Sequence, residues 1–335
     1  MKAIKVQRPG GLDKLTLADI DDPGAPGPGQ IRVRLHASSL NYHDYAVAVG
    51  AIPTAEGRIP MSDGAGVVEA VGAGVSDLAA GDAVVSCFFP HWQAGVPPHG
   101  NFSHVPGDGL DGYAREAVVV PAHWFTRAPK GWSHIEAATL PCAALTAWRA
   151  LVVEGEIKAG DIVLILGTGG VAIFALQLAK AMGAVAVVTS SSDAKLERAR
   201  GMGADFTVNY KSDSEWGGTV RNWTGKRGVD IVLEIGGPGT LAQSITASRV
   251  GAHISLIGIL TGLKGEVPTM ALMAKQIELK GILVGSREHQ QDMVRGLEVA
   301  GIRPVIDKTF PLAGLADAFR HEAEGHHFGK ICVEI

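Results

Sequence analysis

Hydrophobic and polar positions along this chain change rhythm once, near residue 133. Before that point, apolar residues alternate with polar ones in short runs. Ile31, Val33 and Leu35 are separated by Arg32 and Arg34, residues 66–71 follow a turn, and residues 82–86 follow Ala80 and Gly81. A period of two predicts half-buried strands, and the Gly and Pro between them predict tight turns, which together suit a compact, partly open barrel. Residues 23–29 are all Pro or Gly but for Ala25 and read as a turn-rich connector, not a domain linker. Beyond residue 133, strands are expected at 162–166, 185–189, 206–209, 229–235, 253–257 and 279–284. Helices are expected between them at 193–202, 213–223 and 240–248. Such alternation makes a parallel sheet with helices on both faces, and six strands complete a doubly wound α/β sheet. A helical segment at 292–300 and a final strand at 330–335 are expected to return to the first domain.

The join between the strand at 162–166 and the helix after it carries the chemistry. A β-branched apolar run meets Gly167, Thr168, Gly169, Gly170, Val171 and Ala172, then becomes a helix-period apolar pattern up to Lys180. Strand, tight glycine turn and helix in that order open a dinucleotide-binding unit. Gly167 permits the sharp turn, Gly169 lets the backbone approach a pyrophosphate, and Ala172 is small enough for close helix–strand packing. Free N–H groups at the helix start then attract phosphate. No charge falls between Ile162 and Ala179, which is also how a membrane span reads. Glycines in its middle, with Asp161 and Lys180 at its ends, favour a buried strand–turn–helix.

At 335 residues the chain is too long for one simple core, and two domains are expected. The net charge of −4 offers no basic excess for nucleic acid and no polybasic patch for a membrane surface. Cys87, Cys142 and Cys332 lie far apart, so no disulfide framework is expected and a reducing compartment fits. The first ten residues read as a strand and turn without the apolar centre of a secretion signal, which makes a cytoplasmic location the expectation.

Several motifs precede the glycine turn in order: Ser39-Leu40-Asn41-Tyr42-His43-Asp44, Asp63-Gly64-Ala65-Gly66, Gly81-Asp82-Ala83-Val84, and the run from Ala137 through Leu140, Pro141, Cys142 and Thr146 to Trp148. Together they resemble the medium-chain dehydrogenase/reductase superfamily, near its zinc-independent quinone oxidoreductase and zinc-type alcohol-dehydrogenase-like branches, over essentially the whole chain. The resemblance implies a Rossmann domain inserted into a GroES-like β-barrel domain, with an active site in the cleft between the two. The expected boundaries are residues 1–122 completed by 288–335 for the barrel domain, and 123–287 for the Rossmann domain. Family members pair across a two-fold axis at the end of the Rossmann sheet, so a homodimer is expected.

The second Rossmann strand ends in Thr189, Ser190, Ser191 and Ser192, with Lys195 close behind. Hydroxyls and a cation suit a 2′-phosphate, whereas NAD-selective sites place an acid there. The family's NADPH pattern maps onto Ser190, Ser191, Lys195 and Tyr210, so NADPH is the expected cofactor. Two other readings stand beside it: Ser192 or Asp193 as a helix cap, and Asp193 as a ribose ligand. Zinc is not expected. Where alcohol dehydrogenases of this superfamily carry a ligating Cys and a His-Glu pair, this chain has Asn41 and Ser62-Asp63, and Cys142 alone survives. The four-cysteine structural lobe is replaced by a long loop. His91, His99 and His104 on that loop match no regular metal spacing.

Without a Lewis acid, an electrophilic acceptor is the better substrate: a quinone, or an enone reduced at its β-carbon, where hydrogen-bond donors stabilise the developing charge. By resemblance the nicotinamide lies near Asn41, Thr146, Gly258 and the Gly285-Ser286-Arg287 turn. Tyr42 is the first candidate for the oxygen-facing donor and His43 the second; packing between domains is the competing role for Tyr42. Arg287 has two readings, cofactor phosphate or solvent. Phe88, Phe89, Trp92, Phe102 and Trp124 bracket the long loop and either wall an apolar pocket or bury the loop itself. The expected activity is NADPH-dependent, zinc-independent reduction of a small apolar carbonyl compound. An alcohol or aldehyde dehydrogenase and a non-catalytic NADPH-binding protein are the alternatives.

Overall fold

The computed structural model describes residues 1–98 and 104–335; His99 and Phe102 lie outside the described residues. The chain forms two compact units, Met1–Leu145 with Val284–Ile335, and Thr146–Leu283.

The first unit begins with β1 (Lys2–Val6), β2 (Leu15–Asp19) and the long β3 (Gln30–Ser39), followed by helix α1 (Tyr42–Ala48). Strands β4 (Ala65–Val71), β5 (Ala83–Ser86), β6 (Ala117–Pro121) and β7 (Phe125–Arg127) and the short helix α2 (His134–Ala137) complete its N-terminal part. β3 is the hub, antiparallel to both β4 and β6. Its alternation turns Ile31, Val33 and Leu35 into a core with Val68, Val84, Val118 and Phe125. At its end the alternation stops, and Ser38 and Ser39 are both buried.

A helical stretch containing α3 (Leu145–Trp148) leads into the second unit. There β8 (Ile162–Leu166), α4 (Gly170–Ala181), β9 (Val185–Ser190), α5 (Asp193–Gly201), β10 (Phe206–Asn209), α6 (Trp216–Trp223), β11 (Val229–Glu234), α7 (Pro238–Ala247), β12 (Ser248–Leu256), α8 (Thr269–Ala274) and β13 (Glu278–Gly281) follow. The six strands lie in the order β10-β9-β8-β11-β12-β13, all parallel. This is the doubly wound Rossmann sheet. Every residue of β11 is buried, and α4 buries Ala172, Ile173, Phe174, Ala175, Leu176, Leu178 and Ala179. Burial on both faces explains the charge-free run from Ile162 to Ala179. Among the described residues, no helix is long and apolar enough to cross a membrane.

The chain then returns to the first unit through α9 (Arg287–Ala300), β14 (Ile306–Pro311), α10 (Leu315–Ala323) and β15 (Lys330–Glu334). β15 pairs antiparallel with β3, setting Cys332 opposite Ser39, and with β14 on its other side the sheet runs β14-β15-β3-β4-β5-β7. Leu315 and Phe319 of α10 are fully buried against Ile4, Met61 and Ile331. Each such side chain contributes about 1.5–3 kcal/mol, which anchors the return. The first crossing between units falls at residue 145, where the sequence pattern had set it at 122. Strand pairing is the reason: Ser86 of β5 pairs with Phe125 of β7, and Ser39 Oγ donates to the Ala138 carbonyl.

Candidate active site

In the second unit the glycine turn has the geometry its residues require. Gly167 has φ +79, a region closed to most side chains, and its N–H donates to the Thr189 carbonyl at 2.8 Å. Gly169 caps α4 and Gly170 and Val171 begin it, with Thr168 buried just before; Gly169 has no side chain with which to cap the first N–H groups of the helix. Those N–H groups and the helix dipole favour negative charge at this end of the helix. Beside the turn, β9 ends at Ser190, which pairs with Asn209 of β10, and Tyr210 N donates to the Ser190 carbonyl. Ser190 Oγ accepts from Ser192 N, and Ser192 caps α5 by accepting from Lys195 N. Ser191 and Lys195 are half-buried and Tyr210 is exposed. Asp193 accepts from Asn209 Nδ2 at 2.8 Å. Ser190, Ser191, Lys195 and Tyr210 therefore come from the carboxyl ends of β9 and β10 and the first turn of α5, with the Asp193 side chain engaged by Asn209.

Glu234, which the sequence reading passed over, ends β11 and is fully buried. Its Oε1 accepts from Gly236 N at 2.9 Å, Gly237 N at 3.0 Å and the Thr240 hydroxyl, and its Oε2 accepts from Ser244. Next to this turn, a Cβ on Gly258 would lie 1.8 Å from the Ile235 carbonyl oxygen, so glycine is required where two backbones touch.

The first unit holds a buried polar cluster built from four separate segments. Asn41 and Asp44 come from the start of α1, Ser62 and Asp63 from the segment before β4, Ser39 from β3 and Lys330 from β15. The Lys330 ammonium donates to the Leu40 carbonyl and to Asn41 Oδ1, and lies 3.9 Å from Asp63 Oδ2. An ammonium can only donate, so it fixes the carboxamide orientation and turns Asn41 Nδ2 to Asp63 Oδ2 at 2.8 Å and Asp44 Oδ2 at 3.2 Å. Asp44 also accepts from Ser62 N, Ser62 Oγ and Asn41 N, while Ser39 donates to Asp63 Oδ2. Asp63 Oδ1 is enclosed without a hydrogen-bond partner. Burial pushes the Asp63 carboxyl up to about 7, opposed by Lys330 and reinforced by Asp44. Glu322, on α10, is also pushed up to about 7 by burial, with Lys330 opposing.

Tyr42 is 52% exposed and its ring meets that of Tyr45, whereas His43 lies between two carboxylates. His43 Nδ1 is 3.7 Å from Asp44 Oδ1 and Nε2 is 3.5 Å from Asp108 Oδ2. Phe88 touches the imidazole edge-on at 5.6 Å between centroids and continues through Phe89 to Trp92, all three buried. Ser286 caps α9 by accepting from His289 N. Arg287 pairs with Asp77 at 3.1 Å and donates to the Phe125 carbonyl, contacts that account for its charge within the first unit. Thr146 is buried at the start of the second unit.

The residues at the superfamily's zinc positions do not suit that metal, which takes deprotonated Cys, His or carboxylate donors and keeps one position open. Asn41 Oδ1 is occupied by an ammonium, the Ser62 hydroxyl donates to Asp44, and Asp63 already faces Lys330. Burial, with Asp63 adding to it, pushes the Cys142 thiol well above its ordinary range. Among the described residues, no three His, Cys, Asp or Glu side chains stand close enough to hold a metal ion.

Residues 27–130 match the alcohol dehydrogenase GroES-like domain, and residues 170–298 match the zinc-binding dehydrogenase family. A zinc-type alcohol dehydrogenase-like protein of Schizosaccharomyces pombe is 40% identical over 334 residues, covering 97% of this chain and 96% of that protein. The solved structure of an NAD-dependent alcohol dehydrogenase superposes with a TM-score of 0.90 at 33% identity, covering both chains fully. A crotonyl-CoA carboxylase/reductase variant in complex with NADP superposes with a TM-score of 0.86 at 25% identity, covering 100% of this chain and 95% of that one. With the GroES-like unit, the Rossmann sheet and these relatives in agreement, the chain is an oxidoreductase of the medium-chain dehydrogenase/reductase superfamily, in its alcohol-dehydrogenase-like group.

Proposed function

We propose that this protein is an NADPH-dependent, zinc-independent reductase of quinones or of activated C=C bonds in small apolar carbonyl compounds. The observation that carries the reading is the cluster around Lys330. It engages Asn41, Ser62 and Asp63, at the positions where metal-dependent relatives hold zinc, so the substrate has to be electrophilic without a Lewis acid. NADPH is supported by Ser190, Ser191, Lys195 and Tyr210 at the end of the second strand, and by the NADP found in one structural relative. When bound, the nicotinamide supplies the hydride. The buried aromatics Phe88, Phe89 and Trp92 support an apolar substrate.

The exposed edge strand β13, with Met270, Met273 and Leu283 exposed near it in sequence, supports a homodimer. Cys87, Cys142 and Cys332 form no disulfide among the described residues, and a reducing, cytoplasmic setting fits them. An alcohol dehydrogenase is the second reading, favoured by the names of the relatives. Turnover of a panel of quinones, enones and alcohols, with NADPH or NADH and with or without a chelator, separates the two. Chelator-resistant reduction of enones or quinones supports the first reading, and activity confined to alcohols with added zinc overturns it.

A further inference from the structure

Reduction of an enone or quinone consumes a proton as well as a hydride. The following inference rests on the reductase reading and asks which side chain supplies that proton. His43 stands between Asp44 of its own helix and Asp108 of the loop before β6, with nitrogen-to-oxygen distances of 3.7 and 3.5 Å. Its third neighbour, the Phe88 ring, is uncharged and leads to Phe89 and Trp92. Among the described residues Nδ1 is enclosed without a hydrogen-bond partner, and the side chain keeps 22% exposure, so the exchangeable proton is the one on Nε2, beside Asp108. Asp44 cannot drift toward the ring, because Asn41 and Ser62 hold both of its oxygens.

We propose that His43 is the proton donor of the reduction, kept loaded by Asp44 and Asp108. Hydride addition to the β-carbon of an enone, which a bound nicotinamide would supply, leaves negative charge on the enolate. The Nε2–H bond of the imidazolium breaks, its electron pair stays on the ring, and the proton passes to the enolate; water then reprotonates the neutral imidazole. A ketone enolate is a much stronger base than imidazole, so the transfer runs downhill. Burial works against the charged ring, but Asp108 and then Asp44 outweigh it and raise His43 to about 9, which keeps the donor charged at neutral pH. Tyr42, with its ring half in solvent, lacks such a setting.

The test has two readouts. In the protein without substrate, an NMR titration of labelled histidine should place the His43 midpoint near 9, and Asp108→Asn should lower it by about one pH unit or more. In NADPH-driven enone reduction, kcat/KM of the parent should fall tenfold per pH unit above the same midpoint. Asp108→Asn should carry that limb acidward by the same amount. His43→Gln should lower kcat by about 10²–10⁴-fold and remove the limb, with NADPH binding by fluorescence unchanged. Should His43→Gln not fold, Asp108→Asn alone decides, since the Asp108 side chain is 24% exposed and faces His43. An active parent whose His43→Gln variant keeps both rate and profile overturns the proposal, as does a His43 midpoint below 7. A parent inert to every enone and quinone instead overturns the reductase reading, and the proton donor with it.

Discussion

Lys330 Nζ donates to Asn41 Oδ1 at 2.7 Å across 289 residues of sequence, and that bond joins the last strand of the chain to the start of its first helix. The ammonium faces Asp63, both of them buried, and lies within electrostatic reach of the half-buried Glu322. Lys330→Met removes the charge and most of the hydrogen bonding while keeping the stem. A buried pair broken on one side costs about 3–5 kcal/mol, so the urea midpoint at pH 7 should fall accordingly. A loss under about 1 kcal/mol would mean that water already satisfies the cluster.

Glu322 gives the pH dependence. Its folded value of about 7 lies above the ordinary 4.5, so between those values the native protein holds a proton that the unfolded chain has released. Stability contributed by that proton is complete below pH 4.5 and is lost as pH rises through 7. Glu322→Gln cannot lose it. The variant should match the parent at pH 4 and gain on it by on the order of 1–3 kcal/mol by pH 8. Parallel stability curves across that range would refute the assignment.

Cofactor choice is tested at Lys195. Charge-assisted contacts to a phosphate are worth about 1.5–3 kcal/mol, so Lys195→Ala should weaken NADPH binding by roughly ten- to a hundred-fold and leave NADH nearly unchanged. Fluorescence titration of both cofactors measures this, and equal titration curves in the parent would exclude the preference.

Cys142 is the last of the zinc-type residues. Its thiol is pushed well above its ordinary range by burial, so it is neutral and serves as packing. Cys142→Ser should therefore change turnover less than about threefold, far below the cost of a lost metal ligand. Stoichiometric zinc in the purified parent that disappears together with activity in Cys142→Ser would return the protein to the metal enzymes.

The fold was legible where its signals are local. The glycine turn at 167–172 announces itself because turn, phosphate approach and helix packing each need a small residue within six positions. Strand β10 was read at Phe206–Asn209, where it lies. Helix α8, six residues long, is too short to show a period, and α10 is recognisable only from the face that buries Leu315 and Phe319. The polar cluster was legible in part. Asn41 and Ser62 stood out against a metal pattern, but nothing near Lys330 in sequence shows that its ammonium ends beside Asn41, because that proximity is made by β15 pairing with β3. His43 carries no sign of its charge until Asp108 arrives from a distant loop.

Helices α4 and α7 begin at the carboxyl ends of two paired central strands, β8 and β11, and both helix starts would welcome an anion. At α7 the place is already filled: the Glu234 carboxyl group accepts from Gly236 N and Gly237 N, and Pro238 has no N–H to add. Two similar helix ends are thereby made unequal before any ligand arrives, and the difference is made by a residue sealed inside the protein.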